Sequence, residues 1–380
     1  MTPLHVPFWR HGLTEADRAA WMEVARSPHL TTGPRTAELE RRLSQILGLG
    51  DAVATTSCTT ALHLALLAMG VDPGDEVVTT PMSFVATANA DLHTGATPVF
   101  ADVQSETGLL DPVAAEAAIT PKTRVLLPVH LYGAMADMEA LCAIAERHGL
   151  SILEDAAHAL SSKGPLGPPG TGTAGACFSF YATKPATAGE GGAFATGDPA
   201  LAERVRRLRL HGLDHSPAQR GDGPYRHYEM TDLGWKANMS DLSAVLLLGQ
   251  LEEERMAPRI AARKALHAAY DKGLEGIPGI SLPPPLPASC APYLYTLRVP
   301  SAVRDAFLKG LEGRGIGIAV NYRPIHLMPH YRCALGLGEG GFPHAEAIGA
   351  ETLTLPSQGL SDEEVERVCA AVGETALELR

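Results

Sequence analysis

Between about residues 50 and 240, short apolar runs alternate with stretches in which apolar positions recur every three or four residues. Residues 76–80, 124–129, 151–154, 177–181 and 192–196 read as strands. Residues 60–69 read as a helix stopped by Gly70. A second helix runs to His148, with Asp137 as its N-cap, Met138, Leu141 and Ile144 on one face, and Gly149 as its stop. Residues 201–210 repeat the pattern through Leu201, Val205 and Leu208. Such alternation predicts a mostly parallel sheet covered by helices on both faces.

After Asp241 the texture changes. A long helical stretch runs towards Tyr270, with an interruption expected near Pro258. The proline-rich residues 282–292 read as a linker, followed by strands near 293–299 and 316–320. The last helix opens with Ser361 and Glu364 in capping-box spacing and presents Val365, Val368 and Val372. The expected architecture is therefore α/β. An N-terminal arm spans 1–35, a large α/β domain 36–245, and a connecting helix with a small C-terminal α+β domain 246–380.

Composition narrows the function classes. The 380 residues are 45% hydrophobic and 19% charged, as in an ordinary globular protein. A net charge of −12 argues against sequence-independent binding to nucleic acid or anionic membrane, yet leaves room for one local phosphate pocket. Residues 1–10 show no signal-peptide pattern, and the longest apolar stretches, 61–69 and 245–248, are far short of a membrane span. Six scattered cysteines without a C-x-x-C pair suit reduced thiols. A soluble, cytoplasmic protein is expected.

Three segments carry candidate chemistry. Ser57-Cys58-Thr59-Thr60 opens the helix over 60–69, and small hydroxyl residues at a helix N-terminus leave free N–H groups for an anion. The strand over 151–154 runs into Glu154 and Asp155, and ligands gather at the carboxyl ends of strands in open α/β sheets. A carboxylate there could keep a heterocyclic nitrogen protonated. Lys184 is one of only seven lysines, and it leaves an apolar strand for a loop rich in small residues. A Schiff-base lysine needs a partly desolvated site of this kind. Taken alone, the first and third have a commoner structural explanation, a simple N-cap and a surface lysine, and the second is as readily a solvated strand end or a cap for the next helix. Together they describe one site.

At this point the chain resembles the DegT/StrS family of sugar aminotransferases, a branch of the fold-type I enzymes that use pyridoxal 5′-phosphate (PLP). The likeness runs from Thr31-Thr32-Gly33-Pro34 to Leu355-Pro356. Its landmarks occur in order: Gly-Asp-Glu-Val at 74–77, Pro-Met-Ser-Phe-Val-Ala-Thr at 81–87, Gly-Ala-Thr-Pro-Val-Phe at 95–100 and Pro-Val-His-Leu-Tyr-Gly at 128–133. Glu-Asp-Ala-Ala-His-Ala at 154–159, Phe-Ser-Phe at 178–180 with Lys184, Gly-Glu-Gly-Gly at 189–192 and Gly-Trp-Lys-Ala-Asn-Met-Ser-Asp at 234–241 complete the set.

The resemblance implies that Lys184 carries the cofactor as a Schiff base and shuttles the proton of transamination, with the pyridoxamine form as intermediate. It implies that Asp155 pairs with the ring nitrogen, that His158 (glutamine in many relatives) contacts the ring or its 3-hydroxyl, and that Phe84 stacks on the ring. Cys58, Thr59 and Ser179 are implied to hold the phosphate, with Asn238 reaching it from the other subunit of a homodimer. Cys58 departs from the glycine or alanine usual in relatives, but a backbone N–H is all the cradle needs there. Tyr322 and His326 are implied to line the sugar pocket. Glutamate is the implied donor, leaving as 2-oxoglutarate, and a keto-sugar nucleotide the acceptor. The segments at 154–158 and 234–238 look like those of relatives that aminate C4 of UDP-linked keto-sugars, and Lys184-Pro185 like those making UDP-4-amino-6-deoxy sugars.

Three rival readings stand beside this one. A PMP-dependent sugar dehydratase would carry histidine in place of Lys184. A keto-cyclitol aminotransferase of aminoglycoside synthesis fits the same motifs. A non-catalytic regulator would have no use for Lys184, Asp155 and Ser179 together. Two motifs read as decoys. Gly170-Thr171-Gly172-Thr173-Ala174-Gly175 matches a dinucleotide fingerprint but precedes a strand instead of a helix. His326, His330 and Cys333 have metal-ligand spacing, but Pro329 argues against a regular helix there; His211 and His215 lack a third ligand, so no metal is expected.

Overall fold

The computed structural model describes residues 5–214 and 227–379. Seven strands form the central sheet: β1 (Asp51–Thr55), β2 (Glu76–Thr79), β3 (Thr97–Phe100), β4 (Thr123–Leu127), β5 (Ser151–Asp155), β6 (Gly175–Ser179) and β7 (Gly192–Thr196). Their spatial order is β1-β7-β6-β5-β4-β2-β3. The pairs from β3 to β6 are parallel, and β7 runs antiparallel to both of its neighbours. The mostly parallel α/β sheet expected from the pattern is the one found.

Burial on both faces explains why these strands read as nearly unbroken apolar runs. On one face lies the helix Cys58–Ala68, buried on almost every side between the sheet and the helices Ala86–Thr94 and Pro199–Leu208. A helix apolar all round belongs in such a place. On the other face, Leu39, Leu43 and Leu47 align at i, i+4 along the helix Pro34–Leu47 and pack with Leu247 of the helix Asp241–Leu248. A second sheet pairs β8 (Tyr295–Arg298) with β9 (Thr352–Leu355), antiparallel. The helices Glu253–Leu274, Ser301–Gly313 and Asp362–Glu378 enclose its core around Tyr270, Tyr295, Phe307 and Val368. Ser361 and Glu364 form the capping box that the spacing predicts. Among the described residues no helix is long and apolar enough to cross a membrane.

Several expectations are corrected. The long helical stretch breaks at Gly249–Leu251 and an extended Glu252, not at Pro258. Pro258 sits in the second turn of the new helix, where it forfeits one hydrogen bond and is tolerated. The break seats Gln250 on the loop after Lys184, its Nε2 donating to the Thr187 carbonyl (2.8 Å) and its Oε1 accepting from Thr187 N (3.2 Å). Residues 316–320 do not form a strand. Ile316 and Gly317 bridge to Val6 of the N-terminal arm while Ala319 bridges to Thr354, so the segment changes partners midway and builds no ladder with either. β1, β3 and β9 are strands that the pattern did not single out. Pro329, expected to oppose a helix, instead opens one as the first residue of Pro329–Leu335.

Candidate active site

The carboxyl ends of β1, β5 and β6 meet at one edge of the sheet, and the chemistry-bearing residues lie there. Thr55 at the end of β1 and Ser179 at the end of β6 both pair with Gly192, the first residue of β7. Gly192 must be glycine, since a Cβ there would lie 2.2 Å from the Ser57 carbonyl carbon and 2.3 Å from Cys58 N. This approach sets the N-terminus of the helix Cys58–Ala68 directly over the strand beside Ser179. Ser57 caps that helix by accepting from Thr60 N (3.1 Å). The Cys58 and Thr59 N–H groups donate to nothing among the described residues, so two donors at a positive helix end remain free for an anion.

β5 delivers two carboxylates to opposite sides. Glu154 faces the sheet's support, where it accepts from His130 Nε2 (2.7 Å), Gly170 N (2.9 Å) and Thr173 Oγ1 (2.6 Å). The glycine-rich decoy is thereby explained as a loop that satisfies a buried carboxylate. Asp155 faces the site. Its Oδ2 accepts from Thr87 Oγ1 (2.8 Å), its Oδ1 accepts from Ala157 N (3.1 Å), and Cys58 Sγ lies 4.0 Å away. Burial pushes the Asp155 carboxyl above its usual range, against the pull of Thr87, Ala157 and Lys184. One turn beyond Thr87, Asp91 is buried with neither oxygen hydrogen-bonded among the described residues, and burial first, then Asp155, pushes its carboxyl far up.

Lys184 is 9% exposed, its backbone N–H donating to the Tyr181 carbonyl (2.9 Å) in a turn after β6. Its Nζ stands 4.7 Å from the centroid of the Tyr293 ring. Burial lowers the amine to about 8, opposed by Cys58 and Asp155. A lysine near pH 8 is a usable base and nucleophile, unlike one in solvent.

Aromatic rings wall the site. Tyr132 N donates to His158 Nδ1 (3.2 Å), which leaves the proton on Nε2, 3.1 Å from the Tyr322 hydroxyl. Burial, then Lys184, pushes His158 well down, so its imidazole is neutral. Tyr293 packs on His158 at 4.6 Å between ring centroids, and Phe84 lies 6.1 Å from Tyr322. Phe84 is 59% exposed, an apolar ring turned to open space at the rim of a polar site. Gly133 (φ +101°) allows the linker to close in, because a Cβ there would lie 2.2 Å from the Ala291 carbonyl oxygen. Thr87, Tyr132 and Tyr293 were not named from sequence as site residues. The first two lie inside the quoted motifs, where only spatial proximity distinguishes them; Tyr293 follows the linker and gives no local sign.

Of the predicted residues, the structure brings Cys58, Thr59, Ser179, Asp155, His158, Lys184, Phe84 and Tyr322 to this edge. Asn238 bridges backbone to Thr55, with its side-chain amide donating to Thr32 Oγ1 and its carbonyl oxygen accepting from Lys236 Nζ. His326 is fully buried, its Nε2 3.2 Å from Glu346 Oε1 and its ring against Phe342. His211 is described, with a left-handed backbone (φ +59°), whereas His215 lies outside the described residues. Among the described residues no three His, Cys, Asp or Glu side chains converge as a metal site.

The site fits an aromatic cation with an anionic tail and a carbonyl carbon. A buried carboxylate with no cationic hydrogen-bond partner and two N–H groups free among the described residues, an open aromatic face and a desolvated amine each answer one part of PLP. The comparisons agree. Residues 12–373 match the DegT/DnrJ/EryC1/StrS aminotransferase family. The chain is 40% identical over 362 residues, 92% of each chain, to the spore coat polysaccharide biosynthesis protein SpsC of Bacillus subtilis. Among solved structures it is similar to the Spr1654 protein of Streptococcus pneumoniae in its PLP form, at 31% identity over 99% of this chain and 100% of that one, with a TM-score of 0.91. The PMP form of the same protein gives 0.92. DesI, solved in the presence of its TDP-sugar product, is 30% identical over 99% of this chain and 93% of its own, with a TM-score of 0.86.

Proposed function

The chain belongs to the DegT/DnrJ/EryC1/StrS aminotransferase family and is a PLP-dependent aminotransferase; from that premise we propose that it moves an amino group from glutamate to C4 of a UDP- or dTDP-linked keto-sugar. Support for a sugar acceptor comes from the polysaccharide role of SpsC and the TDP-sugar product of DesI. The observation that carries the chemistry is the buried amine of Lys184 beside the buried carboxyl of Asp155.

When bound, PLP supplies a protonated ring that takes up the electrons left as a proton leaves the nitrogen-bearing carbon. Lys184 Nζ would anchor the group and carry that proton; lowered to about 8, it can both take and give one near neutral pH. Asp155 would hold the proton of the ring nitrogen, with Thr87 fixing the carboxylate. The Cys58 and Thr59 N–H groups and the Ser179 hydroxyl hold the phosphate. Phe84 would cover one face of the ring, and His158, its two nitrogens engaged by Tyr132 N and the Tyr322 hydroxyl, would contact it. Tyr322 meets the sugar directly, while His326, buried against Phe342, shapes the same pocket from behind. Asn238 completes the phosphate site of a second subunit in a homodimer. The exposed apolar residues Met230, Leu233 and Trp235, just ahead of it, support a buried interface there.

Incubation with glutamate and a panel of UDP-, GDP- and dTDP-4-keto-sugars plus a keto-inositol tests the assignment. Amination at C4 of a UDP or dTDP sugar is expected. Turnover of the keto-inositol alone would overturn it in favour of a cyclitol enzyme.

A further inference from the structure

Behind the Lys184 loop, a cavity of about 30 Å³ lies between Ser179, His158 and Pro185 on one side and the helix Glu253–Leu274 on the other. That helix turns two arginines, Arg259 and Arg263, to the cavity wall one turn apart. Among the described residues no aspartate or glutamate lines it. Arg263 is 8% exposed, and its Nε donates to the Pro292 carbonyl (2.7 Å) while its two Nη groups have no hydrogen-bond partner among the described residues. Among the described residues the hydrogen bonds of Arg259 go only to neutral oxygens, the Gly12 carbonyl (2.5 Å) and Gln250 Oε1 (3.4 Å), with Asp17 adding a weaker pull through space. The neighbouring Arg255 shows the contrast, being clamped by both oxygens of Asp17 at 2.7 and 2.8 Å. Burial and Arg259 lower the Arg263 guanidinium to about 10.

Two guanidiniums one turn apart on the wall of a cavity that no Asp or Glu among the described residues lines repel each other, a cost that an anion between them would relieve. About 30 Å³ holds roughly two water-sized groups, the size of a carboxylate's two oxygens, and a guanidinium offers paired donors for such a fork. We propose that Arg259 and Arg263 form a carboxylate seat beside Lys184 that binds one carboxylate of the amino donor. This deepens the proposed function and rests on its amino-acid donor. The sugar acceptor, which needs no carboxylate recognition, makes no use of the seat. Ser179 and His158 belong to both the cavity and the catalytic edge, so a donor can span from the seat to Lys184.

The test uses the holoenzyme and follows the donor half-reaction by absorbance at increasing glutamate. Arg259→Gln and Arg263→Gln are each expected to raise the apparent Kd for glutamate roughly 10- to 100-fold, the loss of a charge-assisted hydrogen bond, with Arg263→Lys intermediate. Formate should raise the melting temperature of the wild-type holoenzyme, compete with glutamate, and do neither in Arg259→Gln. Unchanged glutamate binding in folded Arg259→Gln and Arg263→Gln would overturn the seat. Formate that stabilises without competing would assign the cavity to a free ion and overturn the donor role. Should wild-type enzyme fail to react with glutamate at all, the donor reading itself falls, an outcome distinct from both.

Discussion

In the cofactor-free protein, Lys184 is expected to weaken the fold it serves. Its amine is almost wholly buried, and burial lowers it from 10.5 to about 8. A depression of that size corresponds to about 3 kcal/mol of stability. Below pH 8 both folded and unfolded chains hold the proton, so the folded state bears the full cost of a buried ammonium. Between pH 8 and 10.5 the unfolded chain still holds it and the folded chain does not, so stability climbs as pH rises. Above 10.5 neither holds it and the cost is gone. Lys184→Met keeps the stem's packing and removes the charge. Urea unfolding of the cofactor-free proteins at one fixed concentration should show Lys184→Met more stable by about 3 kcal/mol at pH 7. The gap should halve near pH 9 and vanish by about pH 10.5. A gap that does not change with pH, or a variant less stable than wild type at pH 7, would refute the electrostatic account.

Two further outcomes follow from the site's geometry. Thr87→Val removes the 2.8 Å bond to Asp155 Oδ2, a contact worth about 1.5–3 kcal/mol to a charged group, and should raise the Asp155 carboxyl further above its usual range. The acid limb of the donor half-reaction's pH profile should move upward accordingly, and a profile identical to wild type would rule out this coupling. Gly192→Ala forces a Cβ to 2.2 Å from the Ser57 carbonyl carbon, which no side-chain rotation can relieve. It should cost about 1–3 kcal/mol in urea unfolding and weaken PLP binding at the neighbouring N–H groups, whereas unchanged values for both would show the helix start is free to move.

The sheet could be read from the chain because its central strands are buried on both faces and its helices carry clear stops. β3 escaped because Pro98 lies inside it and argues against a strand, and β1 because alanines, weak strand formers, surround its one large apolar residue, Val53. β9 escaped because Thr352 and Thr354 are buried polar positions within it, which blunts the apolar signal. The interruption was placed at Pro258 because proline is the visible breaker. The real break rests on Gln250 meeting Thr187, a contact between residues 63 apart that no local pattern announces.

The site divides the same way. Residues that hold a function by type, such as Lys184 and Asp155, stand out in a run of sequence because their chemistry is rare in such settings. Residues that work through placement do not. Thr87 is one threonine among many until its hydroxyl is found on Asp155, and Tyr293 is one more aromatic until Lys184 is found over its ring. The arginines of the helix Glu253–Leu274 are the sharpest case. Arg255, Arg259 and Arg263 recur every four residues, as on any solvated helix face. Folding separates them, giving Asp17 to the first and leaving the other two beside a cavity without a carboxylate. Identical residues in one repeat thereby acquire different chemistry, one as a brace and two as a seat for charge. What distinguishes them is the partner each one lacks.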